Sequence, residues 1–287
     1  MAFFELLQSN TVALLATVLV LGLLVGSFLN VVIYRLPVMM QNAWAREAAE
    51  MAGVDEPEQT RFDLIKPDST CPSCGHQIRA WENIPVISYL VLGGKCSQCK
   101  TRISPRYPII ELTTGLLSLA LAWQFGATVQ TAALLVLFWA LIAMTMIDVD
   151  HQLLPDSITL PLLWLGLLLN LGNTFVPLEQ AVIGAVAGYL SLWSIYWAFK
   201  LLTGKEGMGY GDFKLFAAFG AWFGWGALPL IILLSSLVGA VVGIALIAFM
   251  GRERQIPIPF GPYLCGAALV YVFWGNTITA WYLGSFA

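Results

Sequence analysis

Runs of about twenty apolar residues recur along this chain, and that is the length an α-helix needs to cross the roughly 30 Å hydrocarbon core of a bilayer. Nothing in a bilayer replaces water for an exposed backbone N–H or C=O, so such runs fold as helices. The first extends from about Val12 to Ile33. After a polar stretch from Tyr34 to Tyr107, others cover roughly 109–125, 128–147, 157–172, 180–202, 213–225, 228–250 and 262–283, the run at 213–225 being short. Of the 287 residues, 59% are hydrophobic and 11% charged, which excludes a soluble domain. The reading is an all-α polytopic membrane protein with about eight transmembrane helices: an N-terminal helix (1–34), a small cytoplasmic domain (35–107) and a seven-helix membrane core (108–287). Only Glu5 is charged ahead of the first run, and no small-residue cleavage site follows it. The run therefore reads as a retained anchor.

Charge orients these helices. Alternating spans put the connections at 34–107, 148–156, 203–212 and 251–261 on one side, and all 14 Lys and Arg lie in them or within a few residues. Cations remain cytoplasmic, so both termini are expected on the outer side of the membrane. Gly184-x-x-x-Gly188 and Gly239-x-x-x-Gly243 offer small faces for close helix packing.

The polar stretch contains 71-CPSCGH-76 and 96-CSQC-99, two C-x-x-C pairs separated by 21 residues. That spacing matches a tetrahedral four-thiolate zinc site built from Cys71, Cys74, Cys96 and Cys99. Gly75, Gly93 and Gly94 supply permissive backbone near the knuckles. Disulfides or a redox pair are the competing readings; a cytoplasmic location disfavours the first, and a second matched pair is superfluous for the other. Four protein ligands leave no open coordination position, so such a zinc is structural. His76 borders the first knuckle, and Cys265, in the last apolar run, reads as a packing residue.

Ionisable residues at the ends of membrane spans are costly and therefore candidates for function. Glu111 lies one turn into the second run, Asp148, Asp150 and Asp156 follow the third, and Asp212 closes 207-GMGYGD-212 ahead of the sixth. Alternation of spans sets Asp148 and Asp212 at one cytoplasmic depth although they are 64 residues apart. Two carboxylates in hydrogen-bond range make an aspartic-protease pair, one acid and one base. Asp212, at a helix N-terminus, is the preferred base. Three alternatives stand beside this: caps and ion pairs with Lys205 and Lys214, an Asp-x-Asp metal-dependent transferase at 148-DVD-150, and a proton-coupled secondary transporter. A transporter calls for acids near the midplane and a repeat between halves, and neither is evident.

The set 25-VGSFLNVVIYRLP-37, the paired cysteine knuckles, 107-YPIIELTTG-115, 147-IDVDHQLLPD-156, 207-GMGYGD-212 and 258-IPFGPYL-264 resembles the bacterial type IV prepilin peptidases, in that order and over nearly the whole chain. The resemblance implies an inner-membrane GxGD-type aspartyl protease. Such enzymes remove the basic leader of prepilins and pseudopilins after a glycine at the cytoplasmic face. They then N-methylate the new terminus with S-adenosylmethionine. The resemblance carries the catalytic pair onto Asp148 and Asp212. For the methyl donor or its acceptor, Gly26, Asn30, Arg35 and Glu111 are the candidates: Glu111 to attract a sulfonium or an amine, Arg35 to bind a carboxylate. Besides pilin substrates the bilayer is the expected partner, and no nucleic acid is. The largely acidic stretch 46-REAAEMAGVDEPEQTRFD-63 suits attraction of a basic leader.

Metal analysis of the purified chain is expected to find about one zinc per polypeptide. A carefully prepared sample without metal would contradict the cysteine assignment.

Overall fold

A computed structural model describes residues 2–54, 61–250 and 258–284, and it is helical throughout, with isolated bridges only around the cysteines. In chain order the helices are α1 (Ala2–Ser9), α2 (Thr11–Ala52), α3 (Ile87–Val91), α4 (Arg106–Phe125), α5 (Val129–His151), α6 (Asp156–Asn170), α7 (Leu178–Thr203), α8 (Tyr210–Phe223), α9 (Leu228–Met250) and α10 (Gly261–Gly284). Two compact units divide the chain near residue 143, within α5.

Every expected apolar run is a helix, and two of the helices are shorter than a standard span. Among the described residues six are long and apolar enough to span, whereas the runs expected at 157–172 and 213–225 fold as α6, of 15 residues, and α8, of 14. At 1.5 Å per residue these are only about 21–23 Å long. For α8 the reason is packing: it is buried from Asp212 to Phe223 apart from Lys214, as befits a helix apolar on all sides and surrounded by protein, whereas α6 exposes Leu160, Trp164 and Leu168.

In the N-terminal unit α2 does not stop at Tyr34. It runs on through Pro37 to Ala52, where Gly53 closes it in the left-handed conformation. Its 42 residues reach about 63 Å, twice the hydrocarbon thickness, so the first part of the polar segment is a helical extension of the span. The acidic stretch begins on this extension, but 55–60 lie outside the described residues, as do Arg252 and Arg254. α2 packs along α4 through small residues. A Cβ on Gly22 would fall 2.6 Å from Ser118 Oγ, and one on Gly26 would fall 2.7 Å from Glu111 Cα.

In the C-terminal unit α8 is held between α6 and α7. Gly184 and Gly220 let α7 and α8 approach backbone to backbone, and a Cβ on Gly188 would lie 2.7 Å from Phe216 O. The seam expected at Gly184-x-x-x-Gly188 is thus real, and Gly239 likewise faces Tyr263 of α10. Buried Asn170, at the end of α6, donates to Ala221 O and Trp222 O and accepts from Phe175 and Val176 N–H. Those bonds satisfy the carbonyls that the C-terminus of α8 leaves open. Trp222 Nε1 donates to Leu162 O at 2.8 Å, over Gly166.

Gly220→Ala should lower stability by about 1–3 kcal/mol through overpacking, read as a lower unfolding midpoint in detergent. Gly226→Ala, where a Cβ meets nothing within 4 Å, should leave the midpoint unchanged. Equal behaviour of the two variants would contradict the tight seam.

Candidate active site and metal centre

Asp148 lies in the last turn of α5 and Asp212 in the first turn of α8, both buried, and both within the C-terminal unit. Each carboxylate is oriented by the backbone of a glycine. Gly261 N–H, at the start of α10, donates to Asp148 Oδ2 at 3.0 Å. Gly209 N–H donates to Asp212 Oδ2 at 3.2 Å, so Asp212 reaches back over its own helix start. That position also receives the positive end of the helix dipole. Asp212 Oδ1 is buried with no hydrogen-bond partner.

The glycines have specific work here. A Cβ on Gly261 would sit 2.7 Å from Asp148 Oδ2, so any other residue would displace the carboxylate. A Cβ on Gly211 would sit 2.7 Å from Leu154 Cβ, and Leu154 Cδ2 is 3.2 Å from the equivalent point on Gly261. One leucine side chain therefore touches both glycine segments. The start of α8 is fixed by rings: Tyr210 and Phe213 lie 5.3 and 5.6 Å from Tyr196 of α7.

The remaining acids of this cluster behave differently. Asp156 pairs with Lys214 Nζ at 2.7 Å on the surface, the ion-pair role weighed for these acids, and such pairs contribute little. Asp150 is exposed. Cys265 is buried, as a packing residue should be. The motif 258-IPFGPYL-264 was legible as a pattern, but its Gly261 donor was not. The available signal was a Gly-Pro at a helix start in an otherwise apolar sequence.

In the N-terminal unit the four cysteine sulfurs lie within 4.8 Å of one another, with Cys71–Cys99 at 3.7 Å and Cys74–Cys96 at 4.0 Å. Metal–sulfur bonds of about 2.3 Å in a tetrahedron require sulfur separations of about 3.8 Å, so the donor set fits zinc. The two knuckles repeat one geometry. Gly75 N–H donates to Cys71 O and Lys100 N–H to Cys96 O, each four residues on and each at positive φ, 71° and 61°. Glycine announces the first of these turns, and Lys100 conceals the second. The hydroxyl and backbone N–H of Thr101 lie in hydrogen-bond contact with the Cys99 sulfur, partners suited to a thiolate that binds metal.

Glu82 links the knuckles. Bonds from the Ser97 hydroxyl, Arg79 N–H and His76 hold its carboxyl down at about 2, and His76 Nε2 lies 3.1 Å from Glu82 Oε2. His76 and Ser97 each neighbour a cysteine knuckle, so one carboxylate braces both.

Beneath the ribbon is a cavity of about 430 Å³, lined by Ser27, Asn30 and Glu111 at its membrane end and by Tyr89, Ser97 and Arg102 above. That volume lies in the range of small-molecule sites. Glu111 is buried, and its Oε2 accepts Val86 N–H at 2.7 Å. Asn30 Nδ2 donates to Tyr107 O at 3.2 Å and Gly26 O at 3.3 Å. The structure brings Asn30 and Glu111 to this cavity but employs the other two candidates elsewhere. Gly26 permits the α2–α4 contact, and the buried Arg35 guanidinium donates to Asp63 O and Pro67 O and stacks over Phe62. Val86 holds φ +61° at the centre of a tight turn closed by Ile87 N–H to Pro85 O at 2.6 Å. For a β-branched residue that is strained backbone, and the Glu111 carboxylate fastens it.

Comparison with known proteins covers both units. Residues 20–125 match the profile of the bacterial peptidase A24 N-terminal domain, and residues 135–244 match that of the type IV leader peptidase family. Three similar proteins bear the name prepilin leader peptidase/N-methyltransferase. That of Stutzerimonas stutzeri is 61% identical over 280 residues, 97% of each chain. That of Pseudomonas aeruginosa is 57% identical over 99% of this chain and 98% of its own. That of Legionella pneumophila is 48% identical over 92% of both. No solved structure matches significantly. With both domains matched in order and relatives similar from end to end, the chain belongs to the type IV leader peptidase family.

Proposed function

We propose that this protein is a bifunctional prepilin-processing enzyme whose peptidase pair is Asp148 and Asp212 and whose methyl-transfer site is the cavity at Glu111. It removes the leader of type IV prepilins and pseudopilins and then methylates the exposed amine. The observation that carries the peptidase reading is the pair itself. Two buried carboxylates from distant segments are each aimed by a glycine N–H, and Asp212 retains an unpartnered oxygen.

An aspartyl pair works with one carboxyl protonated and one ionised. The ionised group, for which Asp212 is the preferred candidate, takes a proton from water as the oxygen attacks the scissile carbonyl carbon. The acid protonates the carbonyl oxygen. Collapse breaks the C–N bond, and the departing amine takes up a proton from the pair. Gly261 and Gly209 hold one oxygen of each carboxylate, so the other oxygens are left for water and substrate. A position at the cytoplasmic membrane face, with both termini periplasmic in a bacterial inner membrane, is supported by the distribution of Lys and Arg.

S-adenosylmethionine supplies an electrophilic methyl group when bound. The buried Glu111 carboxylate suits the cationic sulfonium or the pilin amine, and Asn30 lies beside it as an amide for polar groups. Gly26 and Arg35 support the site from outside, by close helix contact and by tying residues 63–67 to α2. The zinc held by Cys71, Cys74, Cys96 and Cys99 would fix the ribbon that forms the upper wall.

Asp148→Asn or Asp212→Asn should each lower prepilin cleavage in vitro by on the order of 10²–10⁴-fold, with the protein still folded in membranes. Wild-type cleavage by either variant would overturn the pair. Glu111→Gln should lose methylation of an already cleaved pilin yet still cleave prepilin, and Asp148→Asn should show the converse. Joint loss of both activities in either variant would contradict the assignment of separate sites.

A further inference from the structure

The short helix α3 leaves the apolar side chains of one face largely uncovered by protein. Ile87, Leu90 and Val91 are 59%, 70% and 74% exposed, and their i, i+3, i+4 spacing sets them on one side of the helix. Ser88, Tyr89 and Leu92, on the other side, line the cavity. Trp81 and Ile84, in and just after the 3-10 turn Ala80–Asn83, continue the exposed strip. Burying an aliphatic side chain of this size is worth about 1.5–3 kcal/mol, so in water the strip would forgo several such contributions.

Its depth says what covers it. Val86, the residue before α3, donates its N–H to Glu111 at 2.7 Å. Glu111 is five residues into α4, about 7.5 Å along a helix whose length nearly equals the hydrocarbon thickness. Its side chain leans back toward the helix start, which brings the carboxylate near the level of Tyr107. Asn30 Nδ2 meets Tyr107 O at that level, so α2 passes there also. A half-exposed tyrosine in the first turn of a span marks the membrane–water boundary. The start of α3 is pinned at this boundary, and five helical residues carry the chain only about 7.5 Å farther.

We propose that α3 and the 3-10 turn before it form an interfacial membrane anchor, with Ile84, Ile87, Leu90 and Val91 against the lipid acyl boundary and Trp81 among the headgroups. Tryptophan above aliphatic residues is the usual order at such an interface. Exposed Arg79, Lys95 and Arg102 flank the strip, where cations meet lipid phosphates. The bilayer then holds the cysteine ribbon down over the cavity, a role independent of either catalytic assignment.

The test is photocrosslinking of the full chain in vesicles of radiolabelled phosphatidylethanolamine and phosphatidylglycerol. The photoreactive residue p-benzoylphenylalanine is placed singly at Leu90 or Val91. Both sites are exposed and accept its bulk without repacking. Val186 on α7 serves as a lipid-facing reference and Glu47, far along the α2 extension, as a water-facing one. Labelling at Leu90 and Val91 should match that at Val186 and exceed that at Glu47 by on the order of tenfold, as expected for side chains in the acyl boundary. Labelling at the Glu47 level overturns the proposal. So does transfer to a second copy of the chain, or to a prepilin added to the vesicles, in place of lipid.

Discussion

A carboxylate taken out of water must recover its lost hydration from the protein, and in the C-terminal unit two glycine N–H groups provide that recovery. Other features of that unit serve these two bonds. Gly261 has to lack a Cβ because the Asp148 carboxylate occupies the space where one would be. The α8 start has to be rigid, and Tyr196, Tyr210 and Phe213 make it so. α8 itself is short because protein, not lipid, surrounds it, and Asn170 at its far end accepts the burden of its open carbonyls.

The N-terminal unit applies the same economy to a different purpose. Glu111 is a buried acid whose bond to Val86 holds a strained turn, and its position at the floor of a cavity gives it a chemical use besides. Glu82 is a second acid in a bracing role, joining His76 to Ser97 and thereby one cysteine knuckle to the other. A metal at the four sulfurs and a carboxylate behind them would together keep the ribbon from spreading. Arg35, for which a ligand carboxylate was expected from sequence, instead spends its guanidinium on two backbone carbonyls.

Hydrophobic run length made the helices legible, because a bilayer imposes one length scale on every crossing. It could not give each helix its length, and so the eight runs resolve into six long helices and the shorter α6 and α8. It also missed the extension of α2 to Ala52, since a polar helix beyond the membrane carries no apolar signature. The cysteine spacing was sufficient for the cluster, for a C-x-x-C knuckle is a local structure. The acids Asp148 and Asp212 could be named from topology, whereas their partners could not, because Gly261 and Gly209 act through backbone N–H groups that every residue except proline possesses. Lys100 in a left-handed turn was hidden for a similar reason: its sequence gives no sign that it repeats the part played by Gly75.

The claim on which the account depends is that Asp148 and Asp212 act as one unit. Rates of leader cleavage for Asp148→Asn, Asp212→Asn and the double variant test it most directly, since groups that work together are not additive when removed. The account predicts that the double variant is no slower than either single one. Losses that multiply, or a double variant that retains the rate of the wild type, would contradict it.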